Sequence, residues 1–218
     1  VFVKVCGTTS EEDALLSVAM GADALGFIFA PSKRQVTAER ASDIIKRLPP
    51  DILTVGVFRN ESLGRMAEIV AETGVKAVQL HGSESPSTVA ETRHRLGRPV
   101  IKAFVAGSKE MRTADTYGAE IVLLDAPSPG SGQVFDWRLA EGVPDVSRLV
   151  LAGGLDSDNV AEAIESVRPW GVDVVSGVEA RPGQKDPRKV RTFIENAKAA
   201  APAEYQATGA TPYDWEYE

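Results

Sequence analysis

The chain has 218 residues, 43% of them hydrophobic and 25% charged, a composition that can bury one substantial core and admits one domain or two. A net charge of −7 argues against nucleic acid as the principal partner, and no apolar run approaches the ~20 residues of a membrane span, so neither a membrane segment nor a signal peptide is expected. A single cysteine excludes an internal disulfide and agrees with a cytoplasmic protein.

In chain order, short apolar runs alternate with longer amphipathic stretches. Strands are predicted over Phe2–Cys6, Ala24–Phe29, Leu53–Phe58, Ala77–Leu80, Val100–Phe104, Ile121–Asp125, Leu149–Ala152 and Val172–Val175. These runs are rich in Val, Ile and Leu and seldom alternate with polar residues, as parallel strands covered on both faces require. Helix starts are read at Thr9-Ser10-Glu11-Glu12, which has the form of a capping box, at Thr37 before Ala38-Glu39, and at Ser157-Asp158 before Asn159–Val167. The alternation predicts βα units around a parallel sheet.

An internal repeat sharpens that expectation. Gly21-Ala22-Asp23-Ala24-Leu25, Gly74-Val75-Lys76-Ala77-Val78, Gly118-Ala119-Glu120-Ile121-Val122 and Gly171-Val172-Asp173-Val174-Val175 share glycine, a small apolar residue, a charge and then a strand. Each glycine is expected to end the preceding helix in the left-handed conformation. All four copies precede even-numbered strands, so the chain behaves as four βαβα quarters. That echo favours a single α/β domain, a closed (β/α)8 TIM barrel over residues 1–198, rather than an open doubly wound sheet. Residues 199–218 read as an extension with no catalytic role. They carry Glu204, Asp214, Glu216 and Glu218 with no Lys or Arg, together with Tyr205, Tyr213, Trp215 and Tyr217. The remainder of the chain is nearly balanced in charge, so a phosphorylated substrate would need only a local positive patch.

Active sites of such barrels lie at the C-terminal ends of the strands. Those ends supply Cys6-Gly7, the Pro31–Arg34 loop, Arg59-Asn60, Gln79 with His81, Asp125, Gly153-Gly154 and Ser176-Gly177. Strand parity puts Gln79 and His81 on one face, and likewise Lys4 and Cys6.

Several of these ends sit in longer motifs. They are Lys4-Val5-Cys6-Gly7-Thr8-Thr9, Gly26-Phe27-Ile28-Phe29 with Pro31-Ser32-Lys33-Arg34, Val55-Gly56-Val57-Phe58 and Val78-Gln79-Leu80-His81-Gly82. Leu123-Leu124-Asp125, Gly130-Ser131-Gly132, Phe135-Asp136-Trp137, Leu151-Ala152-Gly153-Gly154-Leu155 and Val175-Ser176-Gly177-Val178-Glu179 follow. In this order and spacing over residues 3–198, the sequence resembles the phosphoribosylanthranilate isomerases of tryptophan biosynthesis, cofactor-free barrels of the ribulose-phosphate-binding type.

The resemblance implies a role for each end. Cys6 would be the general base, its thiol made acidic enough by nearby positive charge; a lone cysteine otherwise reads as core packing. Asp125 would be the general acid, which requires partial desolvation at the barrel mouth; the alternative is a helix cap or a structural ion pair. Arg34 would bind the anthranilate carboxylate through two parallel donors. Gln79 and His81 would line the pocket. Gly153, Gly154, Ser176 and Gly177 would hold the phosphate through backbone N–H groups. Asp173 could touch the ribose hydroxyls or pair with Lys4 across the closing strands.

The implied partner is a phosphorylated small molecule, acting on a monomer or homodimer. No zinc cluster, Walker loop or dinucleotide fingerprint is present, in keeping with the absence of a cofactor that the resemblance implies, although Lys4 and Lys102 remain open as Schiff-base formers. Ala152 and Val175 stand where the family often has serine. The related sugar isomerase of histidine biosynthesis uses a carboxylate in place of Cys6 and has a different loop pattern. A phosphate-binding barrel without turnover is the rival from another class.

Overall fold

Each apolar run predicted as a strand forms one in the computed structural model, which describes residues 1–126, 137–144, 146 and 148–203. The strands are β1 (Phe2–Cys6), β2 (Ala24–Ile28), β3 (Leu53–Phe58), β4 (Ala77–Leu80), β5 (Val100–Val105), β6 (Ile121–Asp125), β7 (Leu149–Leu151) and β8 (Gly171–Val174). They pair in parallel in sequence order, and β8 returns to β1 with Lys4 opposite Asp173, closing the barrel. Every strand is therefore buried on both faces, which is why none shows polar alternation.

The inward residues Phe2, Ala24, Leu53, Val55, Ala77, Ile101, Ala103, Ile121, Leu123, Val150 and Ala152 fill the barrel as one cluster. The intervening residues, among them Val3, Val5, Leu25, Phe27, Val122, Leu124, Val172 and Val174, face outward into the layer beneath the helices. Towards the C-terminal ends the inward positions change character, to Lys4 and Cys6 on β1, Gln79 on β4, Asp125 on β6 and Asp173 on β8. The apolar interior thus forms a floor under a ring of polar groups.

Helices α1 (Glu11–Ala19), α2 (Ala38–Ile45), α3 (Leu63–Thr73) and α4 (Pro86–Leu96) follow the first four strands. Ser10, Thr37, Ser62 and Ser85 cap them, each side chain accepting from the backbone N–H three residues on, an interaction worth about 1 kcal/mol. The start expected at Ser157-Asp158 falls later: α5 spans Val160–Val167. The Asp156 carboxylate accepts from the N–H groups of Asp158 and Asn159, folding those residues into a turn ahead of the helix. Between β5 and β6 the crossover is a 3₁₀ segment, Glu110–Tyr117.

Three glycines of the repeat behave as expected, with φ of 97°, 70° and 66° at Gly21, Gly74 and Gly118. The fourth does not. Arg168 takes the left-handed position after α5, at φ 50°, while Gly171 already belongs to β8. Gly171 instead sits close against β1, where a Cβ would lie 3.0 Å from atoms of Phe2 and press on them.

After β8 a 3₁₀ turn (Ser176–Val178) leads into a hairpin, β9 (Glu179–Arg181) with β10 (Gln184–Lys185), and then helix α6 (Pro187–Ala199). Gly130-Ser131-Gly132 and Phe135-Asp136 of the quoted motifs, and residues 204–218 of the extension, lie outside the described residues. Among the described residues no helix is long and apolar enough to cross a membrane.

Candidate active site

A cavity of about 210 Å³ opens at the C-terminal ends of the strands. Its lining includes Cys6, Arg34, Gln79, His81, Asp125, Gly153, Gly154, Asp173 and Ser176, every expected site residue except Gly177. A second cavity of about 650 Å³ adjoins it over β3–β5 and shares Arg59, His81 and Asp125.

Cys6 ends β1 on the inward face, only 3% exposed. Space for its thiol comes from the neighbouring strand, where Gly26 is its register partner: a Cβ on Gly26 would overlap Sγ and lie 3.1 Å from the Lys4 ammonium. The positive charge expected near the thiol is present, in Lys4 and Lys185, yet the net result differs from the expectation. Burial pushes the Cys6 thiol up from its ordinary value, and the lysines offset only part of that rise.

Lys4 donates to Asp173 at 2.8 Å, the pairing expected from barrel closure, and Asp173 still lines the cavity. Burial opposes the Lys4 charge, but Asp173 and Cys6 outweigh it and hold the ammonium above its usual range. Lys102, the other lysine left open for covalent chemistry, is bound to Glu84 at 3.0 Å and to the carbonyls of Gly82 and Ala103. Both amines are committed as ammonium partners of a carboxylate.

At the end of β6, Asp125 is held from two sides. Its Oδ1 accepts from the N–H of Ala126 at 2.8 Å, and its Oδ2 lies 3.1 Å from His81 Nε2. Behind the imidazole, Gln79 Nε2 lies 2.8 Å from His81 Nδ1. With the Gln79 amide nitrogen facing the ring, Nδ1 accepts and Nε2 carries the proton towards Asp125, while Gln79 Oε1 is buried without a partner. Gln79 is 1% exposed, so its placement is set by packing.

Arg34 reaches the cavity from the loop after β2. Its Nε and Nη2 donate to the two oxygens of Glu179 at 2.8 and 2.7 Å, a bidentate grip on one edge of the guanidinium. Hydrogen bonding to Glu179 raises the Arg34 pKa. Burial raises that of Glu179, but Arg34 and Lys185 outweigh it and hold the carboxyl below its ordinary value. Nη1 takes no part in this pair.

Gly153 and Gly154 turn the chain after β7 with φ of 88° and 72°. Gly177 backs against that turn, where a Cβ would overlap the Leu155 carbonyl and lie 2.9 Å from Asp156 Cα. Gly177 thus packs against Leu155 and Asp156, immediately after the Gly153-Gly154 turn. Gly177 forms the wall behind the cavity lining rather than the lining itself.

Sequence reasoning missed Glu179 as a partner and Lys185 altogether. Glu179 stood in a quoted motif, three residues beyond Ser176. Lys185 lies in a hairpin too short to produce a periodic pattern. Among the described residues no group of His, Cys, Asp and Glu is arranged to hold a metal ion.

Comparison with known proteins agrees with this geometry. The family model for N-(5'phosphoribosyl)anthranilate (PRA) isomerase matches residues 3–196. An N-(5'-phosphoribosyl)anthranilate isomerase of Pelobacter propionicus is 48% identical over 202 residues, covering 90% of this chain and 95% of its own. The crystal structure of phosphoribosyl anthranilate isomerase from Thermotoga maritima superposes with a TM-score of 0.85 at 44% identity, covering 91% of this chain and 99% of that one. A phosphoribosyl anthranilate isomerase in complex with reduced 1-(o-carboxyphenylamino)-1-deoxyribulose 5-phosphate gives 0.82 at 44% identity, with the same coverage. With the barrel, the cavity and these likenesses together, the chain belongs to the N-(5'-phosphoribosyl)anthranilate isomerase family.

Proposed function

We propose that this chain catalyses the Amadori rearrangement of N-(5'-phosphoribosyl)anthranilate to 1-(2-carboxyphenylamino)-1-deoxyribulose 5-phosphate in tryptophan biosynthesis, by general acid–base catalysis. The observation that carries this reading is that Cys6 and Asp125, from opposite sides of the barrel, line one cavity with Arg34 and the Gly153-Gly154 turn. On this reading the barrel is the catalytic unit, a cytoplasmic enzyme, and residues 199–218 take no part in the chemistry.

Asp125 gives its proton to the furanose ring oxygen as the C1–O bond breaks. The anthranilate nitrogen lone pair forms the C=N bond. Cys6 then removes the C2 proton as thiolate, the form that the Lys4 and Lys185 charges favour against burial, and the C–H electrons form C1=C2 while the iminium nitrogen is neutralised. The resulting enolamine tautomerises, losing the C2 hydroxyl proton and gaining one at C1, to give the ketone. The substrate's own nitrogen serves as the electron sink. The acid and the base each supply about 10²–10⁴-fold, added to what positioning contributes.

Arg34 offers its remaining edge to the anthranilate carboxylate, and the backbone of Gly153, Gly154 and Ser176 receives the phosphate, with Gly177 behind them. The relative whose structure holds the reduced product analogue supports a ligand of this kind. Gln79 and His81 act on this reading through Asp125, and Asp173 through Lys4, with the ribose within reach of the same wall.

The test is turnover of freshly generated phosphoribosylanthranilate, followed as loss of anthranilate fluorescence, with the histidine-pathway substrate run in parallel. Rapid loss with the first substrate only, collapsing in Cys6→Ser and in Asp125→Asn, is the expected result. Folded wild type that binds the product analogue without turnover would replace the isomerase with a silent phosphate-binding barrel.

A further inference from the structure

The short hairpin β9–β10 packs beside the end of β1 and ties three parts of the site together. Lys185, in β10, is 3% exposed. Its ammonium donates to the main-chain carbonyl of Cys6 at 2.6 Å and to that of Val175 at 3.3 Å, joining the ends of β1 and β8. It also lies 3.5 Å from Glu179 Oε1. Glu179, in β9, grips Arg34 with both oxygens and accepts from the N–H of Gly183 in the turn of the same hairpin. The hairpin is itself anchored, because the Lys185 N–H donates to Asp13 at the start of α1 and Lys189 of α6 donates to the Glu179 carbonyl. One side chain thus holds the backbone of the candidate base and, through one carboxylate, the candidate clamp for the substrate's carboxylate.

We propose that Lys185 is a positioning residue for the reaction: it anchors the Cys6 main chain and, through Glu179, holds Arg34 in the orientation its substrate contact requires. The inference rests on the isomerase reading given above. A lysine is costly to bury, and removing either partner of a buried ion pair is strongly destabilising. Nothing about the barrel's closure demands a charge here, since eight strands already pair around it without the hairpin. Burial lowers the Lys185 pKa, and Glu179 and Cys6 act against that fall. The charged groups around the Cys6 thiol are Lys4 on β1, Asp173 on β8, Lys185 on β10 and Arg34 in the loop after β2. Of these, Lys4 is paired with Asp173, while Arg34 and Lys185 share Glu179; Lys185 alone is bound to the backbone of Cys6 itself.

Cys6 is the sole cysteine of the chain, so alkylation by iodoacetamide reports on that thiol alone. Lys185→Met, Lys185→Arg and Glu179→Gln are compared with wild type for kcat, KM and the pH midpoint of Cys6 alkylation, after circular dichroism has established the fold. Lys185→Met is expected to lose roughly 10- to 100-fold in kcat, the order expected when a reacting group is displaced by about an ångström. Its alkylation midpoint is expected to move to higher pH. Glu179→Gln should raise KM more than it lowers kcat and leave the alkylation midpoint near that of wild type. If Lys185→Met does not fold, Lys185→Arg decides the matter: it keeps the charge but cannot place it on both carbonyls, so kcat should fall while the midpoint stays. Folded Lys185→Met with wild-type kcat and an unmoved midpoint, or folded Lys185→Arg with wild-type kcat, overturns the proposal. The alkylation readout is independent of turnover. A wild type that fails to convert phosphoribosylanthranilate while Lys185→Met still shifts the midpoint sinks the isomerase reading and keeps the coupling between Lys185 and Cys6.

Discussion

Glu179 engages Arg34 through Nε and Nη2, at 2.8 and 2.7 Å, and leaves the Nη1 side of the fork unclaimed. A guanidinium can serve two carboxylates on two edges, so Glu179 orients Arg34 without consuming its capacity to bind substrate. With Glu179→Gln the amide presents only one oxygen, and one donor of Arg34 meets an N–H₂ group instead. KM for phosphoribosylanthranilate is expected to rise by about tenfold, the order of one charge-assisted hydrogen bond, with a smaller change in kcat. Steady-state kinetics on the two proteins check this, and an unchanged KM would show that Arg34 does not rely on Glu179.

Gly26 is the second position where the site dictates the residue. Its Cα pairs in register with Cys6, and the volume a side chain would need is already filled by the Cys6 thiol and the Lys4 ammonium. Gly26→Ala must displace the candidate base or bend β2. We expect a loss of stability of about 1–3 kcal/mol by overpacking and a fall in kcat larger than stability alone explains. Denaturant unfolding beside kinetics separates the two effects. Wild-type kcat in a folded Gly26→Ala protein would remove Cys6 from the proposed geometry.

The strands were legible because both of their faces are buried, and a short continuous run of Val, Ile and Leu between helical patterns fits a covered parallel strand better than any exposed element. Closure was legible from the repeated glycines, although Gly171 sits against Phe2 rather than at a helix end. The pairing of Lys4 with Asp173 was one of two readings that closure allowed; the other, contact with the ribose hydroxyls, depends on the ligand. What the sequence hid depends on groups far apart in the chain. Lys185 meets the Cys6 carbonyl across 179 positions, and a two-residue strand offers no periodicity to announce it. The Cys6 thiol was expected to be made more acidic by positive charge. The charges are there, but burial, which a sequence does not display, prevails.

That balance gives a stability prediction. Because the folded state keeps the Cys6 thiol above its ordinary value, the unfolded chain ionises first as pH rises. The contribution is fully present below the unfolded thiol value, about 8.5, and is lost as pH climbs from there towards the folded value. Relative to Cys6→Ser, which has no group to ionise in this range, wild-type stability should therefore decline as pH rises above about 8.5. Urea midpoints of the two proteins across that rise measure it. A constant difference would mean that the thiol ionises equally in both states.

Glu84 carries the opposite sign. Burial raises its pKa, but the Asn60 N–H and Lys102 outweigh that and hold the carboxyl below its ordinary value. Its stabilising contribution is present above the unfolded carboxyl value, about 4.3, and is lost as pH falls through the depressed folded value. Glu84→Gln leaves the Lys102 ammonium, 2% exposed, without its carboxylate, at a cost of about 3–5 kcal/mol near neutral pH. The gap between wild type and Glu84→Gln should narrow as the solution is acidified below about pH 4. Thermal melts from pH 7 to pH 3 follow it directly.

Gln79 is the deepest member of the chain of contacts that ends on Asp125. With its amide nitrogen on His81 Nδ1, the imidazole proton is fixed on Nε2, where it meets Asp125 Oδ2. Together with the Ala126 N–H on Oδ1, this holds the carboxylate plane from both ends. Gln79→Met keeps the volume but removes the amide, so His81 becomes free to carry its proton on Nδ1 and turn an acceptor towards Asp125. The donor that stabilises the carboxylate left after proton transfer is then missing in part of the population. We expect kcat to fall by about 10-fold, as loss of an outer hydrogen-bond partner commonly costs, while KM changes far less. His81→Asn, whose shorter side chain draws the donor back from Asp125, should fall at least as far. Kinetics of the two variants and their combination decide the order: if Gln79 acts through His81, the double variant is no slower than His81→Asn alone, whereas independent losses that multiply would assign Gln79 a separate contact with the substrate.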